Sequence, residues 1–300
     1  MTDKPLISIV TPAYNAERYI GETIDSVASQ GMPIEHIIVD DGSDDFTGSM
    51  VADKLKINNN GYHIKFYRQK NAGEQKAVNV GLKMVTGKYF MVVNADDPLL
   101  PKAVESLYYA LARNTDCVAV YPDWQIIDEN SNLIKYMKCP EWDMNRMLRE
   151  HRCIPSVGVM YRSEIIDTVG YRDPRFLYIG DFDYFYRVGL AGEYIHLPQT
   201  LACWRRYPEQ MTAVDNPVRA EQRKLLVDKF FTLPGSELYN DIKQEAYAWA
   251  FLVAATESKT INRKFKYIIN AIKVYPPMLL TSHFWYSLYG YAKYFLKRTR

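Results

Sequence analysis

A run of apolar and aromatic residues, Tyr89-Phe90-Met91-Val92-Val93, gives way at once to Asn94-Ala95-Asp96-Asp97-Pro98. No other stretch limits the fold so tightly. A strand that is apolar on both faces must be covered on both faces, as strands of parallel sheets are. The two carboxylates then stand where the strand becomes a loop, and open α/β sheets bind ligands outside the carboxyl ends of their strands. Hard cations such as Mg²⁺ are held by one or two carboxylates together with phosphate oxygens. The segment predicts a divalent cation anchoring a diphosphate. Taken alone, it reads equally as Asp96 and Asp97 forming a turn ahead of Pro98.

The same pattern recurs upstream. Leu6 to Val10 reads as a buried strand and Thr11 to Asn15 as its loop, with Ile20, Ile24 and Val27 at helical spacing behind Asn15 as N-cap. His36 to Val39 reads as a second strand ending in Asp40-Asp41-Gly42-Ser43, with a helix to about Leu55. Ile64 to Tyr67 gives a third strand, and Val78, Leu82 and Val85 mark a helix closed by Gly87. Val104, Leu107, Tyr108 and Leu111 place a helix behind strand 89–93. Acidic strand ends alternating with helices predict a doubly wound, mostly parallel α/β sheet.

Beyond residue 115 the pattern loosens. Strands are expected at 117–121 and 157–161, and a helix over 181–191 opens on acidic residues that suit the positive end of its dipole. Amphipathic helices are expected over 218–231, 241–256 and 263–275, whereas the aromatic, Met-rich segment 124–152 has no readable period. The expected division is a sheet domain over residues 1–214 and a helical extension over 215–300.

Charge adds an asymmetry. Nine of the 37 Lys and Arg, and none of the 35 Asp and Glu, lie after Glu257, so a chain of net charge +2 splits into a body at −7 and a basic tail. Such a tail faces an anionic surface. Phe284, Leu288, Tyr291 and Phe295 share one helical face, with Lys293, Lys297, Arg298 and Arg300 at its end. Ser, His and Lys interrupt the apolar run, which suits a helix lying in the membrane interface better than one spanning the bilayer. A helix packed on the sheet domain with a solvated tail is the other reading. No nucleic-acid partner is expected, because the acidic body would repel phosphates. Cys117, Cys139, Cys153 and Cys203 lack CxxC spacing, which points to reduced thiols, and Met1 to Lys4 lead into a strand without a signal peptide. The expectation is a cytoplasmic protein, peripheral on the inner face of the plasma membrane where the tail meets lipid.

Five segments in series resemble the family 2 glycosyltransferases, inverting enzymes of the GT-A fold. They are Ser8-Ile9-Val10-Thr11-Pro12-Ala13-Tyr14-Asn15, Ile38-Val39-Asp40-Asp41-Gly42-Ser43, the Asn71-x-Gly73-x-Gln75-x-Ala77-x-Asn79-x-Gly81 run, Asn94-Ala95-Asp96-Asp97, and Gly180-Asp181-Phe182-Asp183 followed by Arg187. The resemblance covers about residues 5–212 and implies a GT-A nucleotide-sugar-binding and catalytic domain over 1–214. It implies a nucleotide site at Pro12, Ala13, Tyr14, Asp40 and Asp41, with Gly73, Gln75, Asn79 and Asp96 beside the ribose and diphosphate. A carboxylate at Asp40 can accept a pyrimidine N–H on its own chemistry, although Asp-Gly is also a turn signal.

The resemblance further implies Mn²⁺ or Mg²⁺ on Asp96 and Asp97. The family's motif is usually Asp-x-Asp, and Asn94 takes its first position here. Trp204 to Thr212 is similar to the family's Arg-x-His-Pro segment, with Tyr207 where His is common, which leaves a third protein ligand open. Arg205 or Arg206 would suit phosphate through a bidentate guanidinium, or would be a surface arginine without a partner. Asp181 aligns with the catalytic base, its other reading being a helix N-cap, and Asp183 is expected to pair with Arg187.

The expected function is metal-dependent, inverting transfer of a sugar from a UDP- or dTDP-linked donor to a hydroxyl of a glycan or lipid-linked acceptor, in cell-surface polysaccharide synthesis. Two alternatives stand beside it. One is a non-catalytic nucleotide-sugar-binding protein of a polysaccharide assembly. The other is a sugar nucleotidyltransferase, which would want a Gly-rich basic loop that Thr11 to Asn15 does not supply. No motif marks the acceptor site.

Overall fold

The computed structural model describes residues 6–56, 61–151, 153–208, 210, 217–258, 260–281 and 284–285. In chain order the elements begin β1 (Ile7–Ala13), α1 (Ile20–Ala28), β2 (Ile34–Asp40), α2 (Thr47–Lys54), β3 (His63–Arg68), α3 (Glu74–Lys83), β4 (Tyr89–Val92) and α4 (Ala103–Arg113). There follow β5 (Cys117–Ile127), β6 (Leu133–Met137), α5 (Met144–Glu150), β7 (Met160–Arg162), α6 (Ile165–Val169), α7 (Gly180–Ala191) and β8 (Glu193–Arg205). The last are α8 (Pro217–Phe230), α9 (Lys243–Glu257) and α10 (Ile261–Val274). Contacts divide the chain into two units, Met1–Trp142 with Ile154–Pro208, and Asp143–Cys153 with Glu209–Arg300. Helix α5 therefore belongs with the C-terminal helices rather than with the sheet.

The first unit is a mixed, mostly parallel sheet in the order β3-β2-β1-β4-β7-β5-β6, with β8 paired to β5. Strands β3, β2, β1 and β4 run parallel, so Ala13 and Asp40 lie side by side at the end of their ladder. Strands β1 and β2 are buried along their whole length, the burial expected of strands covered on both faces. Strand β3 closes that edge and is mostly solvated. One cluster, with Ile9, Met91, Val104 and Leu107, fills one side, and a smaller one packs Ile20 and Ile24 on Ile38.

Polar groups inside the sheet are paired. His36 contacts Thr11 Oγ1 and the Tyr62 hydroxyl, both at 2.9 Å, and burial pushes its imidazole down to about 3. The buried Glu35 carboxylate accepts from Ser8, Lys65 and the Thr86 hydroxyl.

Several sequence expectations change. Helix α1 starts at Ile20, so Asn15 is not its N-cap. Asn15 takes a left-handed conformation (φ 48°), and its side-chain oxygen accepts from Asp44 N instead. Strand β5 runs on to Ile127, and segment 124–152 holds its second half, β6 and α5. Strand β8, thirteen residues long, was not expected, because Pro198 and the polar Gln199 and Thr200 break its apolar alternation. Of the expected C-terminal helix, Leu288, Tyr291, Phe295 and the basic residues from Lys293 onward lie outside the described residues.

In the second unit, α9 and α10 pack through Trp249, Leu252 and Ala271 with Met278 and Phe284. Among the described residues, no helix is long and apolar enough to cross a membrane.

Candidate active site

Four chain segments deliver acidic side chains to one end of the sheet. The first is the end of β2. Asp40 is fully buried, and its Oδ1 accepts from Ser43 N at 2.8 Å. Its Oδ2 accepts no hydrogen bond, and the Arg68 Nε lies 3.4 Å away. That oxygen is thus held by the Arg68 ion pair alone, and a carboxylate oxygen keeps room for a further donor. Ala13 is buried beside it, and Tyr14 is half-exposed at the end of β1. Pro12 is buried in the strand, paired in register with Val39.

Asp41 has a different part. Its oxygens accept from Gln69 Nε2, Ala72 N and Gly73 N at 2.7–2.8 Å, which anchors the loop before α3 and leaves little of the carboxylate for a nucleotide. Gly73 holds φ 95°, which a residue with a Cβ would resist, and the side where a Cβ would stand is open. The loop is thus fixed from beneath and bare on top.

The loop after β4 is the second segment. Backbone pairing of residues 98–100 with 201–203 brings it against the end of β8. Asp97 is buried, its Oδ1 accepting from Arg205 N at 2.8 Å and its Oδ2 from the Asn94 carboxamide at 3.0 Å. Burial, and then the Asp96 charge, push its carboxyl well above the usual range. Of the two carboxylates expected at the cation, either of which could be the direct ligand, Asp97 is the one whose oxygens already tie β8 and Asn94 to the loop. Asp96 is partly exposed, and its Oδ2 accepts from the Tyr207 hydroxyl at 3.0 Å. Burial raises its carboxyl, and the Tyr207 hydrogen bond and the Arg205 charge oppose that rise.

Arg205 was expected to meet phosphate. It is instead fully buried, donating to Asp96 O (2.9 Å), Asp128 O (3.1 Å), Ser131 Oγ (2.9 Å) and Glu22 Oε2 (2.6 Å). Its guanidinium lies 4.6 Å from the Tyr19 ring centroid, and that ring lies 5.1 Å from the ring of Tyr207. Arg205 therefore sets the backbone of Asp96 and the position of Tyr207. Arg206 is exposed.

The third and fourth segments are the starts of α3 and α7. A Cβ on Gly180 would stand 2.4 Å from the Gln75 side chain, so glycine lets the two helix starts touch. Asn79, expected at the nucleotide, closes a pair of hydrogen bonds on the backbone of Arg172 (2.8 and 2.9 Å) instead. Gln75 is buried, with its Oε1 3.4 Å from Arg172 Nη1. Both side chains hold the segment that leads into α7. At its start Asp181 receives Phe182 N on Oδ1 (2.9 Å) and remains partly exposed. Asp183 is buried and pairs with Arg187 at 2.8 Å, as expected.

Two residues had no sequence signal. Glu74 opens α3 with Arg172 3.8 Å away. Burial raises the Glu74 carboxyl; Arg172 opposes this, and the charges of Asp181 and Asp96 both add to it. Asp96 and Asp181 thus act on a single carboxyl group and lie on the same side of the molecule. Arg172 is nearly buried, and its Nε has no partner. The only hint in the sequence was a charge pair 98 residues apart.

For a divalent cation the donor set is narrow. Among the described residues, no group of three or more His, Cys, Asp and Glu is arranged to hold a metal. Asp96 keeps acceptor positions beyond the one Tyr207 occupies, since a carboxylate has about four. That fits the mode in which one carboxylate and substrate phosphates share the ion. Tyr207 stands as a donor to Asp96, and its own hydroxyl is pushed to a raised pKa by burial.

Comparison with known proteins identifies the family and the fold. The family described as "Glycosyl transferase family 2" matches residues 8–168. An uncharacterized glycosyltransferase of Haemophilus influenzae is 28% identical over 256 residues, covering 81% of this chain and 78% of the relative. The fold is similar to that of S. aureus TarS 1–349 in complex with UDP-GlcNAc (TM-score 0.62, 19% identity, 91% of each chain). It is also similar to the mannosyltransferase PcManGT from Pyrobaculum calidifontis in complex with GDP-Man and Mn²⁺ (TM-score 0.63, 16% identity, 98% of this chain and 81% of that one).

Proposed function

The chain belongs to glycosyl transferase family 2, and from that premise we propose that it moves a sugar, with inversion, from a UDP- or dTDP-linked donor to a hydroxyl of a glycan or lipid-linked acceptor. The observation that carries the reading is the contact of the starts of α3 and α7 at Gln75 and Gly180, which brings Asp181 and Glu74 together, with the charges of Asp96 and Asp181 both raising the Glu74 carboxyl. It supports a site where diphosphate and acceptor hydroxyl meet.

In this reading Asp40 Oδ2, which the Arg68 ion pair holds without a hydrogen bond, accepts the N3–H of the pyrimidine. Tyr14 lies along the base, and the bare backbone at Gly73 admits the ribose and diphosphate. The Asp181 carboxylate takes the proton of the acceptor hydroxyl as that oxygen attacks the anomeric carbon from the face opposite the diphosphate. The anomeric carbon–oxygen bond breaks, and its electron pair leaves on the diphosphate. Asp96 would hold a Mn²⁺ or Mg²⁺ ion, which would supply charge neutralisation for the leaving diphosphate. Tyr207 and Arg205 keep Asp96 in place and oppose the rise that burial gives its carboxyl.

The basic, aromatic C-terminus supports a peripheral contact with an anionic membrane on the cytoplasmic side, and with it a lipid-linked acceptor of cell-surface polysaccharide synthesis. The non-catalytic alternative rests on Asn94 in the metal motif. A thermal-shift screen of nucleotides and nucleotide sugars, with and without Mn²⁺, tests the donor half, since a ligand of the folded state raises its stability by mass action. Uridine or thymidine diphosphate sugars should raise Tm most with Mn²⁺ present. A set led by purine nucleotides, or indifferent to Mn²⁺, would contradict it.

A further inference from the structure

Helix α10 is apolar over more of its surface than its neighbours cover. Ile268, Ile272 and Ala271 face the cluster formed with Trp249 and Leu252. Along the margin of that face Ile261, Phe265 and Ile269 are exposed, Phe265 at 58%. Their i, i+4, i+8 spacing makes a continuous apolar line about two turns long. Exposed Lys266 and Lys273 lie along one flank, with exposed Arg263 beyond them. Just past the helix, Leu280 is 89% exposed and Trp285 56%. Exposing this much large apolar surface in one region is unusual for an unpartnered protein surface and marks an interaction site.

Charge selects the occupant. No Asp or Glu occurs anywhere after Glu257. A second copy pairing through this face would set lysines against lysines, because a two-fold interface meets itself. A nucleic acid would answer the lysines but gain nothing from the apolar line. An anionic lipid surface answers both: acyl chains take Phe265 and its neighbours, and phosphate headgroups take the flanking cations.

We propose that α10, with the exposed residues just beyond it, is the element that seats this enzyme on anionic lipid. The inference rests on the peripheral-membrane part of the function proposed above and names the surface that performs it. It places the docking surface ahead of residues 286–300, within the described second unit.

The test is flotation of the full chain with vesicles of phosphatidylcholine, with and without phosphatidylglycerol, at two salt concentrations. The expected result is binding to the phosphatidylglycerol vesicles alone, weakened by salt. Phe265→Ser with Ile269→Ser should reduce partitioning roughly tenfold or more. Lys266→Gln and Lys273→Gln should each reduce it about fivefold. These side chains are exposed, so unchanged Tm serves as the control for folding. Failure of the full chain to bind either vesicle would overturn the peripheral reading and this inference together. Full binding by the unaltered chain and undiminished binding by both kinds of variant would overturn the inference alone. A dimer lost in Phe265→Ser, with vesicle binding intact, would assign the face to a second copy and overturn it as well.

Discussion

The Tyr207 hydroxyl donates to Asp96 Oδ2 at 3.0 Å across 111 residues of chain. It favours the charged form of a carboxyl that burial raises. Tyr207→Phe removes a bond of the charge-assisted class, worth about 1.5–3 kcal/mol. Affinity for a nucleoside diphosphate with Mn²⁺ should fall about tenfold. Because the Asp96 carboxyl then rises further, affinity should begin to fail at a higher pH on acidification than in the unaltered enzyme. Calorimetric titrations at two pH values measure both effects, and identical curves would mean the hydrogen bond is idle.

Asn79 separates two accounts of α3. Its carboxamide clamps the Arg172 backbone, on the path to Asp181. Asn79→Ala should therefore lower turnover by roughly tenfold while donor Kd changes less than threefold, the loss falling on geometry near the base. A mutant that loses nucleotide affinity and keeps kcat would return Asn79 to the nucleotide.

Arg205→Met should damage stability and activity together. Four hydrogen bonds to Glu22, Asp128, Ser131 and the Asp96 backbone are lost from a fully buried site. Breaking a buried pair costs about 3–5 kcal/mol, and the half-exposed Glu22 places this case near the lower end. Chemical denaturation and donor binding on the same sample test it. A normal denaturation midpoint with weakened phosphate binding would favour the phosphate contact instead.

Acid should weaken the fold through its buried histidines. Burial holds His36 at about 3, against 6.5 for an unburied histidine. Below about 6.5 the unfolded chain takes up a proton that the folded chain refuses. This stability is complete above that pH and is lost as pH falls toward 3, at about 1.4 kcal/mol per pH unit. His151 is held at about 3 as well and acts in the same sense. His36→Gln should flatten the fall of Tm between pH 6.5 and 5, and an unchanged slope would place the linkage elsewhere.

The sequence made the sheet legible where chemistry is local. Strands β1, β2 and β4 announce themselves as apolar runs ending at a turn, and Asp40, Asp96 and Asp181 stand at the strand ends and helix start where their spacing put them. What was not legible is how polar groups divide their partners. Asp40 and Asp41 are adjacent in a turn, yet one keeps an oxygen that only the Arg68 ion pair touches and the other is consumed by the loop before α3. Asp97 and Arg205 are spent on each other's segments, and their contact depends on β8, whose Pro198 and polar middle hide a strand from any period count. Glu74 and Arg172 become neighbours only once α3 and the segment before α7 meet.

The division of labour between Asp96 and Asp181 is tested most directly by measuring donor Kd, with and without Mn²⁺, beside single-turnover rates for Asp181→Asn and Asp96→Asn. Asp181→Asn should bind the donor as the unaltered enzyme does and transfer about 10²–10⁴-fold more slowly, whereas Asp96→Asn should lose the Mn²⁺-dependent part of binding. Near-normal transfer by Asp181→Asn, or Mn²⁺-dependent binding untouched in Asp96→Asn, would contradict the account.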